Sequence, residues 1–409
     1  MRDTLRVIAL EEAEQMVLDR AVAFTETEIV SLPDSLGRIT GEDITADSNV
    51  PEFRRSTVDG YAVRSRDLKG AGEGMPAFME LLGQVEMGQA APYALKTSGD
   101  TVYVPTGGML PGGADAVVML EYSESLDPTT ILLKRESAPG ENVVDIGEDM
   151  EEGEVVIPRG SILRPYETGV LASLGKTAVT VLKKPRVGII STGDEVVGEH
   201  EVPGPGKIRD INSQLLAALV QEDGCIPVKY GHIQDDFDEL KTIMETAHQE
   251  CDLVLISGGS SVGARDHTVE VIASLKDSAI LIHGIAVKPG KPTIFAMAGG
   301  KAVFGLPGHP LACAVIYGSL VRTYLKTSLG YVQKEYFLTG TFTENHHKAP
   351  GRVEFLPVRI SEAEDRLLAE PVHAKSGMIS GFAKAFGFIR IPRNEEGLRA
   401  GQTVKIYRF

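Results

Sequence analysis

Three loops between residues 252 and 310 carry residues suited to binding an anion. Asp252-Leu253-Val254-Leu255-Ile256 runs into Ser257-Gly258-Gly259-Ser260-Ser261-Val262-Gly263, with Asp266 opening a helix-like segment. Ile285-Ala286-Val287 runs into Lys288-Pro289-Gly290-Lys291-Pro292, and Ala302-Val303-Phe304 into Gly305-Leu306-Pro307-Gly308-His309-Pro310. Each apolar run reads as a strand. In an open α/β sheet, loops at the carboxyl ends of neighbouring strands line one crevice, where ligands bind. Glycines let backbone approach a ligand, and helix N-termini offer N–H groups to anions. The pattern predicts an anion-binding cleft with carboxylates beside it.

The elements that must position these loops alternate. Val187–Ile190, Val228–Ile233 and Leu253–Ile256 read as strands. Between and after them come helices over Leu215–Val220, from Asp235-Asp236 to about His248, and near Thr268–Leu275. Asn212 and Ser213 are candidate caps for the first, and Asp235, taken alone, sits where the cap of the second is expected. The expected fold over 186–328 is therefore three-layered, with a parallel-rich sheet covered on both faces. Residues 10–24 (Leu10, Ala13, Met16, Val17 and Val22 among charges) have the period of an amphipathic helix. From about 44 to 182, short apolar runs broken by Gly and Pro predict β-rich structure, barrel-like in its spacing. Alternation returns after Tyr331, predicting a small all-β, barrel-like C-terminal domain.

Composition sets the bounds. The 409 residues allow about two to four domains, and a hydrophobic content of 43% suits ordinary cores. With 57 acidic against 41 basic residues the net charge is −16, which argues against nucleic-acid partners and requires a local basic cluster for any anion. Cys225, Cys251 and Cys313 show no paired spacing, so neither a disulfide framework nor a zinc site is expected. No run has the length of a bilayer span and no signal core opens the chain, so a cytoplasmic protein without membrane contact is expected.

Taken in order along the chain, the motifs resemble those of the molybdopterin molybdenumtransferases, the bacterial MoeA proteins and the E domain of gephyrin. The resemblance rests on Thr192-Gly193-Asp194-Glu195, the three loops above, Ser56-Thr57-Val58-Asp59-Gly60-Tyr61-Ala62-Val63 and Pro105-Thr106-Gly107-Gly108. Gly147-Glu148-Asp149, Gln234-Asp235-Asp236, Pro350-Gly351-Arg352 and Ser376-Gly377-Met378-Ile379-Ser380 complete it, so that it covers essentially the whole chain.

The resemblance implies an enzyme that takes adenylylated molybdopterin and molybdate, places the metal on the dithiolene sulfurs and releases AMP with Mg²⁺. It implies four domains: a discontinuous domain I (1–46 plus 147–182), a β-rich domain II (47–146), a molybdopterin-binding α/β domain III (183–328) and a β domain IV (329–409). It also implies a homodimer, with the pterin-adenylylating enzyme and cofactor-accepting apoenzymes as further partners. Matching residue by residue, Asp59, Asp235 and Asp266 become metal ligands, and Asp59, Thr106, Asp149 and Glu195 the catalytic set. Gly258, Gly259, Ser261, Lys288, Lys291, Pro307, Gly308, His309, Arg352 and Ser376 become substrate contacts. The chemistry is consistent: a pyrophosphate wants N–H donors and cations, and cleaving it favours carboxylate-held Mg²⁺.

The chain departs from the pattern at His309, where the family often has Asn, at Gly284, where some members have Lys, and at Thr57-Val58, where Ala-Met is common. Two other readings share parts of this pattern. A nucleotide pyrophosphatase on the same α/β fold carries similar Thr-Gly-Asp-Glu and Ser-Gly-Gly loops, but is not expected to have the segments around Asp59 and Gly351–Ser380. A gephyrin-like scaffold or carrier would be expected to bring an added N-terminal domain or long linker.

Overall fold

The computed structural model describes residues 6–258, 267–331, 336–363, 366–373, 375 and 377–408. Two compact units divide the chain: residues 29–36 with 40–180, and residues 1–28 with 37–39 and 181–409.

The first unit is built on a six-stranded mixed sheet. Its strands are β1 (Gly60–Val63), β2 (Ala77–Gln84), β3 (Asp100–Val104), β4 (Ala116–Met119), β5 (Ser123–Asp127) and β6 (Thr130–Leu133), in the order β4-β1-β3-β2-β6-β5. Its pairing does not close, so this sheet is open where the spacing suggested a barrel. Alternation sorts its side chains: Ala62, Val102, Val104 and Val117 fill one core, while Val63, Met79, Val118 and Ile131 fill another. Since β1 and β3 are antiparallel with Gly60 opposite Val104, the residue before β1 lies beside the loop after β3.

The second unit holds the predicted α/β layers. Strands β7 (Arg186–Thr192), β8 (Ile226–Ile233), β9 (Leu253–Ser257), β10 (Ala279–His283), β11 (Ile294–Ala298) and β12 (Lys301–Leu306) form one sheet in the order β8-β7-β9-β12-β11-β10. The first four are mutually parallel, and β11 runs against its neighbours. Helices α1 (Asn212–Glu222), α2 (Phe237–Glu250), α3 (Thr268–Ser274) and α4 (Pro310–Ile316) cover it. Leu253 and Leu255 pack with Leu216, Val220 and Leu311 on one face, and Val254 and Ile256 with Leu240, Met244 and Val271 on the other. All five residues of β9 are buried, and each Leu, Ile or Val so buried contributes roughly 1.5–3 kcal/mol.

Helix Leu10–Asp19, shorter than the periodicity suggested, inserts Leu10, Ala13 and Val17 into the first of these cores. Ile285–Val287 is not a strand of the α/β sheet. Val287-Lys288 pairs instead with Val353-Glu354 of the C-terminal sheet, and β10 supplies the strand before the Lys-Pro-Gly-Lys-Pro loop.

The C-terminal strands are β13 (Phe337–Phe342), β14 (Val353–Ala363), β15 (Arg366–Pro371), β16 (Gly387–Ile391) and β17 (Thr403–Arg408). They pair in the ring β14-β15-β13-β17-β16-β14, a closed five-stranded barrel around Phe342, Val358, Ile391 and Ile406. Among the described residues no helix is long and apolar enough to cross a membrane.

Candidate active site

Because β7, β8, β9 and β12 are parallel, their carboxyl ends lie together. The connection from β7 leaves to one side, to β8, and the next crosses to β9 on the other. The gap between the ends of β7 and β9 is thus the topological switch point, where open α/β sheets bind ligands. Around it stand Thr192-Gly193-Asp194-Glu195, Gln234-Asp235, Ser257-Gly258 and Pro307-Gly308-His309. The loop Gly284–Thr293 belongs to the same end, because its far limb enters β11 where Ile294 pairs with Gly305 near the end of β12.

A carboxylate cluster occupies one side. Asp194 Oδ1 accepts from the Asp235 amide at 3.2 Å, and Glu195 sits in the same turn. Burial pushes the Asp235 carboxyl above its ordinary value, and repulsion from Asp194 and Glu195 pushes it further, partly offset by His267 and His232. His232 holds the turn by bonding the Gly193 carbonyl through Nε2 at 2.7 Å. Asp235 is not the helix cap. Asp236 is, accepting from the Glu239 amide at 2.9 Å, which leaves the Asp235 carboxylate to the cluster.

The glycines answer to crowding. Gly258 has φ +107°, and a Cβ there would lie 2.2 Å from the Thr192 carbonyl oxygen. Its N–H points at the Leu306 carbonyl at 3.4 Å, so it is not a free donor for a substrate. Among the described residues the Gly308 N–H has no acceptor. Asn212 and Ser213 do not cap α1: the preceding turn does so through Asp210, which accepts from the Ser213 amide at 3.0 Å. The Asn212 amide instead donates to Ser257 Oγ at 2.7 Å and to the Gly308 carbonyl at 2.8 Å.

The cations fall into two groups. Lys288 Nζ is 2.9 Å from Oε1 of buried Glu354 on β14, with His346 Nε2 at 3.4 Å from the same oxygen. Lys291 and Arg352 are exposed and make no ion pair among the described residues. His309 precedes Pro310 at the start of α4, and a Cβ on Gly377 would come within 4.0 Å of its ring, which places the last signature loop beside it. Gly259, Ser261, Asp266 and Ser376 lie outside the described residues.

In the other unit, Asp59 and Thr106 are brought together by the β1–β3 register. Asp59 Oδ1 accepts from the Thr106 amide at 2.7 Å and its hydroxyl at 3.2 Å. Ser56 locks the two loops, giving its carbonyl to Gly107 N and its N–H to the Gly108 carbonyl. Asp149 is exposed, and its backbone N–H donates to the Val50 carbonyl at 3.0 Å. Among the described residues no group of three or more His, Cys, Asp or Glu is gathered closely enough to hold a metal ion.

Sequence reasoning missed Asn212, Asp194, His232 and Glu354. Two carried a signal: Asp194 stands beside Glu195 in one turn, and Glu354 interrupts the apolar run Val353–Val358.

A strand-end crevice with a carboxylate cluster and glycine turns, joined to a closed C-terminal barrel and a β-rich N-terminal module, defines a multidomain binding protein for an anionic ligand. The MoeA N-terminal region (domain I and II) matches residues 8–175, a model described as "Probable molybdopterin binding domain" matches 188–327, and the MoeA C-terminal region (domain IV) matches 339–409. A molybdopterin molybdenumtransferase of Bacillus subtilis is 34% identical over 93% of this chain and 89% of its own. One of Staphylococcus aureus is 31% identical over 98% and 95%. The crystal structure of a molybdopterin biosynthesis MoeA protein from Pyrococcus horikoshii superposes with a TM-score of 0.87 at 32% identity, covering 99% of this chain and 100% of that one. The chain belongs to the MoeA family of molybdopterin molybdenumtransferases.

Proposed function

We propose that this protein inserts molybdenum from molybdate into adenylylated molybdopterin, forming molybdenum cofactor and releasing AMP. The observation that carries this is that relatives named for this transfer align end to end with it, so the barrel and the Asp59 module come with the crevice. A pyrophosphatase sharing only the α/β domain would not be expected to match in that way.

In this reading the switch-point crevice takes the pterin nucleotide. Gly308 offers a backbone donor to a phosphate, and Lys288, Lys291 and Arg352 neutralise the anion. Gly258, Gly259, Ser261, Pro307 and His309 shape the pocket. Ser376 and Arg352 are the proposed molybdate contacts and Glu195 the proposed catalytic residue in the α/β unit, and Thr106 and Asp149 carry the same proposals in the unit of Asp59. Hard carboxylate oxygens suit a divalent cation such as Mg²⁺; Asp235 and Asp266 are the proposed holders in the α/β unit, and Asp59 is a proposed holder in its own unit. When bound, it would neutralise charge developing on the phosphates. A homodimer, a cytoplasmic setting and the four-domain division belong to the same proposal.

The test is AMP release from adenylylated molybdopterin with and without molybdate. Molybdate-dependent release is expected. Release indifferent to molybdate would replace the transferase by a pyrophosphatase, and pterin binding without release by a carrier.

A further inference from the structure

We infer that Asn212 is a positioning residue for the pterin-nucleotide crevice, holding the ends of β9 and β12 at the spacing the substrate needs. This rests on the function proposed above.

Asn212 lies in the first turn of α1 and is only 7% exposed. Its NH₂ group binds two acceptors from separate loops, Ser257 Oγ at the end of β9 and the Gly308 carbonyl in the turn after β12. These loops are already in contact: a Cβ on Gly308 would lie 3.6 Å from Gly258 Cα. With α1 following β7, one amide thus ties elements from three strand ends that meet at the switch point. The Gly308 N–H, free of any acceptor among the described residues, sits on the same residue whose carbonyl the amide grips. Fixing that carbonyl fixes where the turn presents itself.

Two bland roles do not account for the residue. Capping is done by Asp210. Simple packing would favour an apolar side chain, because Asn212 Oδ1 is buried without a partner among the described residues, an arrangement that costs stability. Thr192 Oγ1, on the other flank of Gly258, is likewise buried and without a partner among the described residues. What the amide supplies, and an apolar group of that size does not, is two directed donors.

Asn212→Asp keeps the shape but turns an acceptor toward the Gly308 carbonyl, and Ser257→Ala removes only the other bond. Steady-state AMP release would be measured for both against the native chain, with thermal unfolding alongside. Asn212→Asp is expected to raise KM for adenylylated molybdopterin about tenfold, with kcat and the KM for molybdate little changed, and Ser257→Ala to raise it about threefold. A lowered unfolding temperature with native KM in both would overturn the inference, leaving a structural role only. If Asn212→Asp fails to fold, Ser257→Ala decides by the same criterion. A native chain that neither binds the substrate nor releases AMP would sink the proposed function, and this inference with it.

Discussion

Asp59 and Asp235 are both exposed enough to meet a ligand, yet the fold treats them in opposite ways. Asp59 is held by donors: one oxygen takes both the amide and the hydroxyl of Thr106. Asp235 is partly buried, which raises its carboxyl, and Asp194 and Glu195 beside it raise it further. The first is an acceptor fixed in direction by its own module. The second stores repulsion that a proton or a cation relieves. Each unit thus fixes its carboxylate by a different means, one by directed donors and one by burial among like charges.

The largest effect expected from this contrast follows removal of the cation. Chelation should lower AMP release by on the order of a hundredfold, with recovery on adding Mg²⁺. Undiminished release in chelator would remove the cation from the account. Next comes the manner in which each loop is fixed. The crevice relies on backbone crowding, so Gly258→Ala, facing the Thr192 carbonyl at 2.2 Å, should cost about 2 kcal/mol in denaturant unfolding. Thr106→Val loses only the longer of two bonds to Asp59 and should cost about 0.5 kcal/mol. Equal costs would erase the distinction.

The smallest effect is in pH. The Asp235 carboxyl is raised in the folded chain above the ordinary aspartate value of 3.8. Between that value and the raised one the folded chain holds a proton that the unfolded chain has lost, so Asp235 makes stability fall as pH rises through this window. Its unfavourable contribution is complete above the raised value and absent below the ordinary one. Asp235→Asn should flatten that decline in urea midpoints taken across the window, as should Mg²⁺. An unchanged slope in Asp235→Asn would contradict the raised carboxyl.

Much of this was legible in the sequence because period and punctuation report directly on parallel strands. The runs ending at Ile256 and Phe304 and the glycines after them indicate the crevice from the sequence alone. Where the reading slipped, tertiary pairing had overridden a local signal. Ile285–Val287 looks like a core strand, but Val287-Lys288 finds its partner in Val353-Glu354, far along the chain. Asn212 and Asp235 both looked like caps, and a neighbouring aspartate does the capping in each case. Propensity identifies a turn of the helix, not which residue of two serves it. Glu354 was invisible because only the fold shows that Lys288 stands against it.

The most direct test of the account is molybdate-dependent AMP release by the native chain beside Asp59→Asn and Asp235→Asn. The account predicts release by the native chain, at least on the order of a hundredfold less in each variant, with folding intact. Native-like release in both variants would contradict the claim that these carboxylates do the chemistry.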